Sequence, residues 1–321
     1  MLKAIYHSAI KITAFKKLAT KLKKNSVDVL LERELVNTML LAKMHVERVK
    51  HMDHIDSLAD VEFKVFSQKE DDGIIQYLIN KIEIKNKVFI EFGVENYVES
   101  NTRFLLLNDN WTGVVIDGTQ ENIDYIKNDK IYWSNTFTAI CQFVTTKNIN
   151  QLFLKAKIQG DIGLLSIDID GNDYWIWEAI NVVNPRIVIC EFNSVFGDKE
   201  AITIPYDETF HRTNAHYSEL YFGASLKALC DLAEKKGYDF IGCNSKGVNA
   251  YFVRKDISGP FKKLTASEGY VESVHRESRD ETRKHNTYIS GKDRLKVIQD
   301  CEVYNLSTKQ LVKISSLFKL R

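Results

Sequence analysis

Between residues 60 and 254, short apolar runs alternate with longer stretches in which apolar side chains return every three or four positions. Ile74, Ile75, Tyr77, Leu78 and Ile79 follow the polar segment 67–73, so a helix is predicted behind a polar cap and first turn. Val88, Phe89 and Ile90 then read as a short strand, 101–107 as a helix, 113–116 as a strand and 121–127 as a helix. Strands over 162–169 and 186–190 flank a helix over 174–180. Such alternation predicts a parallel sheet covered by helices on both faces. The end of the region breaks the rule. A helix over 225–236, stopped by Gly237, leads into strands over 238–243 and 248–253, joined by Asn244-Ser245-Lys246-Gly247. So short a connection makes a hairpin, and the last strand must run antiparallel to its neighbour.

The flanks lack this alternation. Residues 1–24 hold seven Lys and no acid, with Leu2, Ile5, Ala9, Ile12, Phe15, Ala19 and Leu22 near helical spacing. A basic amphipathic helix of this kind attaches to an anionic membrane surface or a partner, or else lies solvated on its own fold. Residues 28–56 read as a second helix that could pair with the first or with a second subunit. Residues 261–321, highly charged around 272–284, read as an extension with a helix near 291–300. The expected organisation is a helical extension over 1–60, an α/β domain over 61–260 and a C-terminal extension over 261–321.

Composition narrows the partners. The 321 residues carry 44 Lys+Arg against 43 Asp+Glu, a formal charge of +1, which argues against a generic nucleic-acid binder. With 44% hydrophobic residues, 15 Gly and 3 Pro, the chain can bury a full core and is not low-complexity. Cys141, Cys190, Cys230, Cys243 and Cys301 show no C-x-x-C pair, so they form neither a disulfide framework nor a zinc site and read as reduced thiols of a cytosolic protein. No stretch approaches the roughly 18–20 uncharged apolar residues of a membrane span.

Candidate chemistry gathers at the strand ends. Gly93 lies in the first strand-to-helix turn, where a glycine lets backbone approach a ligand closely, and the helix start at Glu99-Ser100-Asn101-Thr102 suits a carboxylate or a phosphate. The turn lacks the further glycines of G-x-G-x-x-G and carries Glu95 and Tyr97 instead, which would crowd and repel a pyrophosphate. Asp117 ends the second strand, 26 residues after Glu91, and could accept from the ribose hydroxyls of NAD or S-adenosylmethionine, or simply cap the following helix. Asp168, Asp170 and Asp173 follow the next long strand. Asp168 and Asp170 would face one side where the strand is regular, and such clustered acids call for a cation or a proton between them, unless Asp170 and Asp173 serve a turn and a cap. Glu191 and Asn193, at the end of the following strand, could complete an oxygen-ligand set for Mg²⁺, Ca²⁺ or Mn²⁺. The segment 194–222 is too long for a simple connection and is the expected lid and acceptor-recognition element. Within it, His211 or His216 could act as general base, although a lone loop histidine is more often a surface residue; His275 is similar. No G-x-S-x-G, H-E-x-x-H or P-loop pattern occurs.

Several motifs fall in a familiar order: Ser67-Gln68 with Glu70-Asp71-Asp72-Gly73, then Glu91-Phe92-Gly93, Glu99-Ser100-Asn101-Thr102, Trp111 with Gly113, Ile116-Asp117-Gly118, and Ser166 through Asp173. This combination resembles FkbM-type S-adenosylmethionine-dependent methyltransferases, and more narrowly members encoded among surface-polysaccharide genes, to which Arg276-Glu277-Ser278-Arg279-Asp280 is also similar. The resemblance covers roughly residues 60–300. It implies a Rossmann-like class I methyltransferase fold with a mostly parallel seven-stranded sheet, S-adenosylmethionine as donor, and a sugar or polyketide hydroxyl as acceptor. It also implies that Glu91, Gly93 and Glu95 hold the methionine end, Ser100 and Asn101 lie at the helix start, Asp117 holds the ribose, and Asp168 joins these acids around the donor. Metal-dependent O-methyltransferases place an acid after the fourth strand and an acid–amide pair after the fifth. Asp170, Glu191 and Asn193 are similar to that set, which would hold Mg or Mn.

The expected function is therefore methyl transfer to a sugar hydroxyl of a surface polysaccharide or its precursor, with Asp170, His211 and His216 as catalytic candidates. The expected setting is cytoplasmic, at the inner membrane surface through residues 1–24, with self-association open. Two other classes compete. Asp168-Ile169-Asp170 fits the D-x-D pattern of a metal-dependent glycosyltransferase, and a non-catalytic scaffold for polysaccharide enzymes would explain the crowded first loop.

Overall fold

The computed structural model describes residues 29–318 and divides the chain into two compact units, 1–48 and 49–321. In the first unit the described residues are helical, part of helix α1 assigned over 29–50; the basic helix expected over 1–24 lies outside the described residues. Among the described residues all the strands lie in the second unit. In chain order its elements are helix α2 (Asp71–Lys81), strand β1 (Val88–Phe92), α3 (Arg103–Asn108), β2 (Thr112–Asp117), α4 (Gln120–Asn128), α5 (Lys130–Ser134), β3 (Phe137–Cys141), α6 (Ile149–Lys155), β4 (Gly160–Ile167) and α7 (Asp173–Ala179). They continue with β5 (Val183–Glu191), β6 (Ile202–Thr203), α8 (Arg212–Ala215), α9 (Leu226–Lys236), β7 (Tyr238–Cys243), β8 (Asn249–Arg254), β9 (Glu302–Asn305) and β10 (Gln310–Lys313). Among the described residues no helix is long and apolar enough to cross a membrane.

The main sheet has the order β3-β2-β1-β4-β5-β8-β7. Strands β3 to β5 run parallel, whereas β8 is antiparallel to both β5 and β7, as the short 244–247 turn requires. This is the Rossmann-like class I methyltransferase sheet. Its central strands are buried on both faces, so they read as unbroken apolar runs: Phe89, Ile90 and Phe92 in β1, and Ile187 to Cys190 in β5, have almost no exposure. Phe153, Trp177, Leu229 and Phe252 belong to the core cluster in which helices α6, α7 and α9 pack against the sheet. Gly237 ends α9 at φ +86°, a left-handed position that glycine adopts without steric cost.

Strand β3 gave no sequence signal. It is an edge strand, and only Ala139 of its five residues is fully buried. A second, three-stranded sheet, β10-β9-β6, was also unanticipated. Strand β6 comes from the segment 194–222 and pairs with β9 from the C-terminal region; Phe196, Ile202, Leu220, Ile298, Val303 and Ile314 close a small core around it. The expected lid is thus tied to the C-terminal region by strand pairing.

Asp72 fixes the approach to α2. Its Oδ2 accepts from the backbone N–H groups of Val65, Phe66 and Ser67 at 2.7–2.8 Å and from the Ser67 hydroxyl at 2.9 Å. Replacing this buried carboxylate strands four donors at once. Asp72→Ala is expected to cost about 3 kcal/mol and Ser67→Ala about 1 kcal/mol, read from the midpoints of urea unfolding; equal, small effects would show that the cluster contributes little.

Candidate active site

The carboxyl ends of β2, β1, β4 and β5 and the start of β8 form one rim, over which lies a cavity of about 710 Å³. Along the rim stand Asp117, then the loop after β1, then Asp168 and Asp170, then Glu191, then Asn249, which pairs with Glu191 in the sheet register. Residues 210–213 close the cavity from the 194–222 segment, and Ser273, His275 and Glu277 close it from the C-terminal region.

The first loop is held by its own acids. Glu91 accepts at Oε2 from the Ser100 and Thr102 hydroxyls (2.6 and 2.5 Å) and the Thr102 N–H, and at Oε1 from the Asn101 N–H (2.9 Å). Its carboxyl pKa is raised by burial, against the pull of these bonds. Glu91 therefore positions the loop, and it also lines the cavity. Gly93 also serves the protein: it has φ +73°, and a Cβ there would lie 1.5 Å from the Asp168 carbonyl oxygen. Contact with the β4 loop thus demands the glycine, which also lines the cavity. Glu95 has φ +46° and gives its N–H to Asp117 Oδ2 at 2.9 Å. The Ser100 hydroxyl is spent on Glu91, while the Asn101 side chain donates to Ser166 at 3.1 Å.

Asp117 both caps and faces the cavity. Its Oδ1 accepts from the Thr119 N–H (2.8 Å) and the Asn122 amide (3.0 Å) at the start of α4. With Glu95 on Oδ2, three of about four acceptor positions are filled, and the side chain lines the cavity.

After β4, Asp173 takes the structural role. It accepts from the Ile169 and Gly171 N–H groups at 2.8 and 2.9 Å, and burial raises its pKa to about 6. Asp168 and Asp170 come together through a left-handed turn at Asp170 (φ +55°), beyond the end of the strand, rather than through strand alternation. Carboxylate oxygens of Asp168, Asp170 and Glu191 lie within 4.8 Å of one another. Burial, then repulsion within this cluster, pushes the pKa of Asp168 and of Glu191 well above the usual carboxylate range. Glu191 Oε2 is buried with no hydrogen bond among the described residues. Arg212 supplies one counter-charge: its Nη1 donates to Asp170 at 2.6 Å, Nε donates to the Glu219 carbonyl, and the guanidinium stacks 3.8 Å above the Phe222 ring.

Asn193 lines the cavity and is also tied into the protein: its Nδ2 donates to the carbonyls of Leu220 and Phe222, and its Oδ1 accepts from Val195 N–H. Asp168 adds a third carboxylate beside Asp170 and Glu191. His216 is not among the residues that line the cavity, and its Nδ1 accepts from Ser218 N–H in its own turn. His211 does line the cavity, exposed and tilted against Phe143 beyond β3. Sequence reasoning missed Arg212, which adjoins His211, and the pair Lys69, just before α2, and Asp71, its first residue. Asp71 is fully buried on the cavity wall; its Oδ1 accepts from Tyr251 OH and from Asn244 Nδ2, the Asn249 amide lies close by, and Oδ2 has no hydrogen bond among the described residues.

No family model and no curated protein matches the sequence. Solved structures resemble it in backbone. The N-terminal domain of EvdMO1 with SAH bound is 10% identical, covers 59% of this chain and 80% of its own, and gives a TM-score of 0.39. An S-adenosylmethionine-dependent methyltransferase from Clostridium acetobutylicum is 12% identical over 57% of this chain and 90% of its own, with a TM-score of 0.37. The O-methyltransferase from Bacillus cereus in complex with SAH is 14% identical over 66% and 91%, again with a TM-score of 0.37.

The burial of Asp71 has a pH consequence. Burial raises its pKa from 3.8 to about 6, so its contribution to stability is full below about 4 and is lost as pH climbs through about 6. Unfolding free energy of the native protein should fall across that window by roughly 3 kcal/mol more than that of Asp71→Asn. Parallel stability–pH curves for the two proteins would contradict this assignment.

Proposed function

We propose that this protein is an S-adenosylmethionine-dependent O-methyltransferase. The observation that carries the reading is the sheet order closed by an antiparallel strand, with an acid at the end of β2 that keeps one acceptor position unfilled and lines the cavity. Asp117 would take a ribose hydroxyl there. A dinucleotide fits less well, because Glu95 and Glu99 line the first loop and repel a pyrophosphate.

S-adenosylmethionine supplies a methyl group already activated by its sulfonium, so the protein's task is to align the acceptor, exclude water and take up a proton. Excess carboxylate along the rim favours a cationic donor. The trio Asp168, Asp170 and Glu191 offers hard oxygen ligands and an orphaned Glu191 oxygen, which suit Mg²⁺ or Mn²⁺. Such an ion, when bound, lowers the pKa of an acceptor hydroxyl. Arg212 holds Asp170 in place for it. The acceptor we propose, from the family resemblance, is a sugar hydroxyl of a surface polysaccharide or its precursor. The same reading puts the protein in the cytoplasm, held against the inner membrane by residues 1–24.

Isothermal calorimetry tests the donor. Binding of S-adenosylmethionine in the micromolar range is expected, weakened at least about tenfold in Asp117→Ala; no heat with the native protein would remove the reading. The ion is tested separately by the loss of free Mn²⁺ signal in electron paramagnetic resonance. Titration with native protein should reduce it and titration with Asp170→Asn should not, whereas identical curves would leave the trio without a metal.

A further inference from the structure

An amino-acid end of a donor carries a carboxylate as well as an ammonium, and the loop after β1 is poorly equipped for the carboxylate. Its N–H groups are mostly spent: Gly93 donates to Ile116 O, Tyr97 to Val94 O, Val98 to Asn96 Oδ1 and Ser100 to Phe66 O, while Glu95 donates to Asp117 and Asn101 and Thr102 to Glu91. Helix α3 has only six residues, too few to build a useful positive end. Glu91, Glu95 and Glu99 on the same wall repel a negative group.

A cation is nearby. Of the Lys and Arg residues that line the cavity, Arg212 is paired with Asp170 and Arg294 with Glu272 at 2.9 Å, whereas Lys69 forms no hydrogen bond or ion pair among the described residues. Its half-buried amine lies in the field of Glu277, Glu99 and Asp71. Segment 64–69 runs directly beside the first loop, through the Ser100–Phe66 backbone bond of 3.1 Å and the Lys64–Glu99 ion pair of 2.7 Å. Two residues on, Asp71 presents its orphaned Oδ2, held rigid through Oδ1 by Tyr251 and Asn244. One unpaired cation and one carboxylate with a free oxygen, adjacent on the wall, complement a zwitterion.

We propose that Lys69 and Asp71 form the subsite for the amino-acid end of the donor, Lys69 pairing with its carboxylate and Asp71 accepting from its ammonium. This rests on the donor reading above and moves the methionine end away from Glu91 and Gly93, toward the segment that precedes α2.

Calorimetry with two ligands separates this subsite from the rest of the site. S-adenosylhomocysteine carries the amino-acid end, and 5′-methylthioadenosine lacks it. Lys69→Gln should weaken S-adenosylhomocysteine by about tenfold to a hundredfold and leave 5′-methylthioadenosine within about twofold. Asp71→Asn should do the same, and if it fails to fold by circular dichroism, Lys69→Gln decides alone. Unchanged affinity for S-adenosylhomocysteine in Lys69→Gln, or an equal loss for both ligands, overturns the subsite while leaving the donor intact. Failure of the native protein to bind either ligand overturns the donor reading itself, and the subsite with it.

Discussion

Carboxylates hold the loops at the open edge of this sheet, and the geometry of the cavity follows from that. A loop that leaves a parallel strand exposes N–H groups that neither the ladder nor buried surroundings can satisfy. Here Asp72 gathers four donors before α2, Glu91 ties the turn after β1 to the start of α3, Asp117 joins that turn to α4, and Asp173 closes the turn after β4. Charged acceptors form stronger bonds than neutral ones, which sustains the left-handed residues Glu95, Tyr97 and Asp170 in their unfavourable conformations.

That arrangement sorts the acids of the rim into two groups. Glu91 and Asp173 are filled by loop donors, whereas Asp117 is bonded to loop amides and still lines the cavity. The others share a deficit: Glu191 and Asp71 each keep a buried oxygen with no hydrogen bond among the described residues, and Asp168 and Asp170 stand close enough to Glu191 to repel it. Burying such groups is costly unless a proton, a cation or a ligand compensates. Arg212 compensates one of them. The remaining deficit lies along the wall of one cavity, as expected of a site that binds a positively charged molecule.

The sequence revealed the frame more fully than the site. Strands β1, β2, β4 and β5 were legible because burial on both faces leaves unbroken apolar runs, and the β7–β8 hairpin because its turn is short. Strand β3 was not, since an edge strand half open to solvent carries a weak pattern. The second sheet was hidden because β6 is two residues long and pairs with a strand a hundred positions away. Among site residues, spacing located Asp117, Asp168, Asp170 and Glu191 on one rim. It could not show how many oxygens of each side chain the neighbouring loops consume, as at Glu91 and Asn193. Lys69 and Asp71 were overlooked for the converse reason, because a polar stretch before a helix reads as a cap.

A crystal structure with S-adenosylhomocysteine bound tests the central claim most directly. The account requires the ribose against Asp117, the amino-acid end between Lys69 and Asp71, and the bonds of Glu91 to Ser100, Asn101 and Thr102 intact. Ligand seated elsewhere, or Glu91 released from its loop to meet it, would contradict the division of the rim into structural and binding carboxylates.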